Sequence, residues 1–222
     1  MTENHTPPRA EKRPHSFTHH GITVTDDYAW LRDPKYPTVD DAAILAHLEA
    51  ENAYFDAHMA GQKPLIDGLY TEMRARIKEE DSSVPQRSGA YLYWSSFDEG
   101  AEYRKYWRKA ADGSGADECI LDETALAHGL EYFSINAFAV SRDHKLLAYS
   151  YDDNGSERFT IRVKDLASGN LLPDVIEGTL SDVVWAADNA SFLYCPANEQ
   201  WRTEVALLHR LGTDAATDVE LY

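Results

Sequence analysis

"AVSRDHKLLAYS" (139–150) and "VWAADNASFLYC" (184–195) are the two stretches on which the fold turns. Laid over each other, they place Asp143 on Asp188, Leu147 on Phe192 and Tyr149 on Tyr194, an offset of 45 residues. The same offset carries Ile161–Val163 onto Ala206–Leu208 and Leu166 onto Leu211. An earlier copy, "AYLYWSS" (90–96) followed by "EYRKYWRKAADGSG" (102–115), falls on the middle copy at an offset near 55. Within the middle copy, "RFTIRVK" (158–164) sets Phe159, Ile161 and Val163 against Arg158, Thr160, Arg162 and Lys164. That period of two predicts a half-buried strand. The segments between strands read "DGSG", "RDH", "DDNG", "ASGN" and "ADN", which is the chemistry of tight turns.

A four-stranded unit recurring at this spacing is the mark of a β-propeller blade. A β-sandwich has as many short strands but lacks the internal register. Each blade hides its faces only against neighbours, so a ring needs about four to eight of them. The sequence holds two blades and most of a third, at about 88–125, 134–177 and 180–222, the last breaking off at "DVELY". The expected fold class is therefore mainly β: a partial β-propeller, 79–222, preceded by a helical amino-terminal segment. The chain reads as the front piece of a longer protein.

Ahead of the strands, residues 1–19 are polar and Pro-rich and read as a mobile lead-in. Residues 38–60 read as a helix, with Thr38 as N-cap, Asp40 and Asp41 in the first turn and Gly61 just past the end. Its stripe is Ile44, Leu45, Leu48, Phe55 and Met59. A second helix opens at Pro64 with Leu65, Ile66, Leu69, Tyr70, Met73 and Ile77 on one face. Residues 20–78 form the helical segment, and both stripes are packing faces.

Charge excludes some partners. The chain carries −17 overall; residues 79–222 hold 12 Lys/Arg against 26 Asp/Glu, and residues 1–78 hold 9 against 12. So acidic a second part repels nucleic acid and anionic membranes and favours cationic peptides, or simply stays solvated. There is no apolar run of transmembrane length and no secretory h-region, which predicts a cytoplasmic protein. Cys119 and Cys195 are isolated and read as buried thiols without a disulfide.

No residue presents itself as catalytic, cofactor-binding or metal-ligating. No Gly has Ser at +2 with Gly at +4, so the strained turn that exposes a hydrolase serine is missing. "GSG" at 113–115 is a hairpin turn. His19 and His20 lack further ligands at zinc spacing, and nothing near Ser82 and Ser83 would activate a nucleophile. The acids at 79–81 read as a solvated run.

"HGITVTDDYAWLRD" (20–33) nevertheless resembles the amino-terminal signature of the prolyl oligopeptidase family of serine peptidases. "EMRARIKEEDSSVPQRSGAYLYW" (72–94), "FAVSRDHKLLAYS" (138–150) and "TIRVKDLASGN" (160–170) look most like its oligopeptidase B group, as does the terminal "LHRLGTDAATDVELY". The resemblance implies a parent with a seven-bladed propeller over an α/β-hydrolase domain that holds the whole Ser-His-Asp triad. Tyr28, Trp30 and the helices of 38–78 would then be anchors on that domain, which this chain lacks. It further implies hydrolysis of short peptides after Lys or Arg, with the propeller gating access and the present chain inactive by itself. The rival reading is a non-catalytic propeller module that binds partners.

Overall fold

The computed structural model describes residues 6–180 and 183–222. Residues 1–5 of the expected lead-in and residues 181–182 of the expected third blade lie outside them. Two compact units are present, Met1–Ile77 and Lys78–Tyr222.

In the first unit, strands β1 (His15–His19) and β2 (Ile22–Asp26) form an antiparallel hairpin. The lead-in expected to run to residue 19 therefore ends in a strand. The pattern is disguised because hydroxyls fill one face: Ser16 bonds Thr25 and Thr18 bonds Thr23, each at 2.8 Å. The two turn residues, His20 and Gly21, both take positive φ (53° and 76°), the geometry that matches strand twist.

A short 3₁₀ turn, Ala29–Leu31, precedes α1 (Ala42–Met59). Its N-cap is Asp41 rather than the expected Thr38: the carboxylate accepts from the backbone N–H of Ala43 at 2.8 Å and of Ile44 at 3.1 Å. Asp33 is buried beneath this entry and accepts from the N–H groups of Lys35, Asp40 and Asp41. Those three donors hold its carboxyl below the usual carboxylate range. Gly61 is not a left-handed stop, because the chain passes through a 3₁₀ turn, Ala60–Gln62, straight into α2 (Lys63–Ala75). Pro64 stands in the first turn of α2, where a missing N–H costs nothing. Of the two stripes, Ile44 is buried, whereas Leu48, Phe55, Leu65, Leu69, Met73 and Ile77 stay exposed.

The second unit consists of three antiparallel meanders in chain order. The first runs β3 (Gln86–Ser88), β4 (Tyr91–Ser96), β5 (Lys105–Ala110) and β6 (Glu118–Asp122). After a short helix, α3 (Glu123–Ala127), come β7 (Ser134–Val140), β8 (Leu146–Asp152), β9 (Phe159–Asp165) and β10 (Leu171–Thr179). The third is β11 (Val184–Trp185), β12 (Ser191–Tyr194), β13 (Leu207–Arg210) and β14 (Val219–Glu220). The fold is a partial β-propeller of three blades, and the last, expected to be cut short, still pairs a fourth strand.

Both offsets hold to the residue in the pairing register. Leu92 faces Lys109, Leu147 faces Lys164 and Phe192 faces His209. The closing turn bonds repeat likewise: Ala111 N–H to Ala90, Leu166 to Lys145 and Leu211 to Ala190, at 2.8, 2.8 and 2.9 Å. So does the left-handed turn residue, which is Gly89, His144 and Asn189 in turn. Gly89 has a further reason to be glycine, since a Cβ there would lie 2.4 Å from Nε2 of His144.

Two seams of core result. Between the first and middle sheets lie Ile120, Leu121, Leu147, Tyr149 and Leu166, with Tyr106 stacked on Phe138 at 4.4 Å. Between the middle and third lie Ala137, Ala148, Ile161, Val163, Val183, Trp185, Phe192 and Tyr194. Strand 158–164 is half-buried as its pattern suggested: Ile161 and Val163 are buried in the second seam, and Thr160, Arg162 and Lys164 on the other side are partly exposed. Lys164 donates to the carbonyl of Ile120 at 2.9 Å, so a charged residue ties this side to the sheet before it. Cys119, expected to be buried, is exposed because it lies on the outermost strand of the first sheet; no disulfide joins it to Cys195.

Phe192→Ala should cost about 3–5 kcal/mol and Leu147→Ala about 2–5 kcal/mol. Leu92→Ala, at the equivalent but half-exposed position, should cost about 1 kcal/mol or less; urea unfolding of the three variants checks the order. In the first unit, the depressed Asp33 carboxyl stabilises the fold above its unfolded titration, and that gain is lost as pH falls through the folded one. Asp33→Asn should therefore flatten the acid-side loss of helical circular dichroism.

Candidate functional site

The polar side chains that the sheets bring together are concentrated at the seams. In the seam between middle and third sheets, His209 of β13 is 1% exposed and lies between two carboxylates. Its Nε2 is 3.0 Å from Oδ1 of Asp174 on β10, and its Nδ1 is 2.8 Å from Oδ1 of Asp218, just before β14. The Tyr194 hydroxyl donates to the other oxygen of Asp218 at 2.8 Å, and the Gly212 N–H donates to Asp174 at 2.6 Å. Burial first, and then the bond to Asp218, push the Tyr194 phenol well above its ordinary range, so it stays a neutral donor. A histidine beside a carboxylate invites comparison with a catalytic pair. Here both ring nitrogens face carboxylate oxygens, which leaves neither to take a proton from a hydroxyl or thiol. The network fastens one sheet to the next.

The first seam is fastened similarly. Arg108 of β5 binds the Glu118 carboxylate through Nε (2.7 Å) and Nη2 (3.1 Å) and reaches the His144 carbonyl through Nη1 (2.6 Å). The guanidinium also lies 4.7 Å from the centre of the Tyr91 ring. The hydroxyl of Tyr93 is 2.8 Å from Nδ1 of His144, so the turn of the middle sheet is held by the face of the first. Burial lifts the Tyr93 phenol, and Arg108 beside it works the other way. At the strand 2–3 loops, Arg158 stacks 4.4 Å over Trp201 and donates to the Asn198 carbonyl at 2.7 Å. The Trp201 indole returns a bond to the Ser156 carbonyl at 3.0 Å.

The residues weighed from sequence fall elsewhere. His19 ends β1 and His20 is the following turn residue. Ser83 is engaged in pairing, its Oγ accepting from Ser95 N–H, and Ser82 bridges to Ser96. "GSG" makes the β5–β6 turn with Gly113 and Gly115 at positive φ. Lys78 pairs with Asp81 at 3.6 Å. Trp30 is held within its own unit: its indole donates to the Glu11 carbonyl at 2.8 Å, and Arg13 lies 4.2 Å over the ring. Tyr28 is exposed. Sequence reasoning missed His209, although the repeat held a signal: it stands where the middle copy has Lys164.

The geometry defines a scaffold of polar-fastened propeller blades, and the comparisons agree. Residues 7–222 match the family model described as "Prolyl oligopeptidase, N-terminal beta-propeller domain". The chain belongs to that family. It is 38% identical to dipeptidyl aminopeptidase BI of Pseudoxanthomonas mexicana over 98% of its own length and 32% of that protein's. With protease 2 of Moraxella lacunata it is 30% identical over 95% of itself and 31% of the relative. Among solved structures, oligopeptidase B from Leishmania major superposes with a TM-score of 0.89 at 30% identity, covering 98% of this chain and 32% of that one. The chain spans about a third of the length of the relatives it matches.

Removing Asp174 leaves Nε2 of His209 and the Gly212 N–H without an acceptor, while His209 keeps its bond to Asp218. Asp174→Ala should lower stability by about 1–3 kcal/mol and Tyr194→Phe by about 1–2 kcal/mol. Denaturant midpoints measure both, and equal small losses would show that the network carries little.

Proposed function

We propose that residues 1–222 are the helical segment and first three blades of a cytoplasmic serine oligopeptidase that cleaves short peptides after Lys or Arg. The observation that supports this reading best is the match to Leishmania major oligopeptidase B across 98% of the chain. In this reading the exposed stripes of α1 and α2, with Tyr28, dock on an α/β-hydrolase domain that supplies the serine, histidine and aspartate. The propeller restricts access, so that short flexible peptides reach the site and folded proteins do not. Residues 79–222, with 26 acids against 12 bases, draw cationic peptides over the ~8–10 Å that cellular salt leaves unscreened. In this reading the 222-residue chain by itself is inactive, because its described residues offer no activated nucleophile.

A second reading is favoured by the 38% identity to a protein named dipeptidyl aminopeptidase BI: release of dipeptides from free amino termini. The test uses the longest polypeptide containing residues 1–222 and fluorogenic peptides ending in Arg or Pro, each with a free or blocked amino terminus. Blocked Arg peptides should be cleaved best, with kcat/KM falling as salt is raised. Preference for Pro overturns the Lys/Arg assignment, and strict need for a free amino terminus selects the second reading. Salt-independent cleavage of Arg peptides overturns electrostatic steering.

A further inference from the structure

Of the asparagines in the chain, only Asn154 is followed by glycine. Such a pair carries a reaction of its own. The Gly155 nitrogen can attack the side-chain carbon Cγ of Asn154, because glycine has no Cβ to obstruct the approach. The Cγ–Nδ2 bond breaks, and ammonia leaves with the proton that the Gly155 N–H gives up. Water then opens the five-membered imide at one of its two carbonyls. One product has aspartate at position 154. The other has isoaspartate, in which the main chain runs through the side-chain carbon and is longer by one atom.

The pair lies in the loop between β8 and β9, and both residues are exposed. Asp152, the last residue of β8, is 1% exposed and ties this loop down. Its Oδ1 accepts from the N–H groups of Asn154 and Gly155, each at 3.0 Å, and its Oδ2 accepts from Glu157 N–H at 2.7 Å. The Asn154 side chain is engaged as well, its Oδ1 accepting from Ser156 N–H at 2.9 Å. The Tyr132 ring stands over Gly155, 3.9 Å from where a Cβ would be. Attack needs a Gly155 nitrogen that has lost its proton and turned onto Cγ. In this loop that proton sits in a bond to a carboxylate, and removing it would set two negative charges 3.0 Å apart. Local opening of the loop releases the hold.

We propose that Asn154 is a latent modification site, an asparagine that cyclises with Gly155 once the β8–β9 loop opens and that the Asp152 carboxylate otherwise holds back. The register says what each product does. Leu92–Lys109, Leu147–Lys164 and Phe192–His209 occupy one position in the three sheets, so Asn154 corresponds to Glu99 and Glu199. An acid already stands there in two copies, and aspartate leaves the loop in place. Isoaspartate lengthens the backbone between Asn154 and Glu157, whose N–H groups reach one carboxylate only at the original spacing. It displaces Ser156, whose carbonyl accepts from the Trp201 indole at 3.0 Å, beside the 2.7 Å bond from Arg158 to the Asn198 carbonyl. Conversion to isoaspartate therefore unfastens the middle blade from the third at these loops. The site does not depend on the peptidase reading.

The test incubates the longest polypeptide containing residues 1–222 at mildly alkaline pH and follows residue 154 by peptide mass spectrometry. The synthetic peptide "SYDDNGSERFT" (150–160) is the untethered reference. The wild-type protein should convert at least about tenfold more slowly than the peptide, the factor that one hydrogen bond to a charged group controls. Asp152→Ala, with the strand signal in circular dichroism retained, should approach the peptide. Asp152→Asn keeps an acceptor of the same shape and should fall between the two, which covers the case where Asp152→Ala does not fold. Asp153→Ala removes the neighbouring acid but no bond to Gly155, and should match the wild type. Protein carrying isoaspartate, resolved by ion exchange and scored with an isoaspartyl methyltransferase, should unfold at lower urea than Asn154→Asp, which has the same charge on the original backbone. A wild type that converts as fast as the peptide overturns the hold, as do Asp152 variants no faster than the wild type. Equal urea midpoints for the isoaspartate form and Asn154→Asp overturn the unfastening.

Discussion

A four-stranded sheet cannot cover its own faces. Everything in Lys78–Tyr222 follows from that constraint, because each meander gains a dry face only where another lies against it. The middle sheet shows the satisfied case, with Leu147 and Tyr149 buried on one side and Ala148, Ile161 and Val163 on the other. The register repeat is the consequence. Once one position on the second strand must fill a seam, the same position must do so in every copy, and Leu92, Leu147 and Phe192 are its three occupants.

Apolar contact alone would let such sheets slide. The seams carry directional bonds as well: Lys164 to a backbone carbonyl, Arg108 to the turn at His144, and His209 between two carboxylates. Buried polar groups are costly when unmatched, so a sheet displaced along its neighbour would strand them. Position is fixed by these fastenings, and affinity by the apolar rows between them. In this member of the prolyl oligopeptidase family such bonds order the blades of the propeller portion.

How much could be read from the chain depended on how local each feature is. The blades were legible because strand alternation, turn residues and repeat offset are all local or periodic. Asp41 displaced Thr38 as helix cap because Asp33 ties down the backbone of Asp40 and Asp41, a contact that spacing does not reveal. The hairpin of β1 and β2 was hidden by its hydroxyl-bearing face. His209 could not be recognised as the centre of a network, since its partners stand 35 residues before it and 9 after it. Only sheet-on-sheet packing brings Asp174 to the ring.

The sequence by itself determined the number of blades, the four-stranded unit in each, the shift to acidic charge along the chain and the lack of a G-x-S-x-G turn, since each is written in periodicity or composition. Tertiary structure decided which faces are dry. Lys164 looks solvent-facing along its strand, yet it reaches the Ile120 carbonyl of the sheet before it. The reason is that alternation distinguishes the two sides of a strand, while burial depends on what another part of the chain lays against each side.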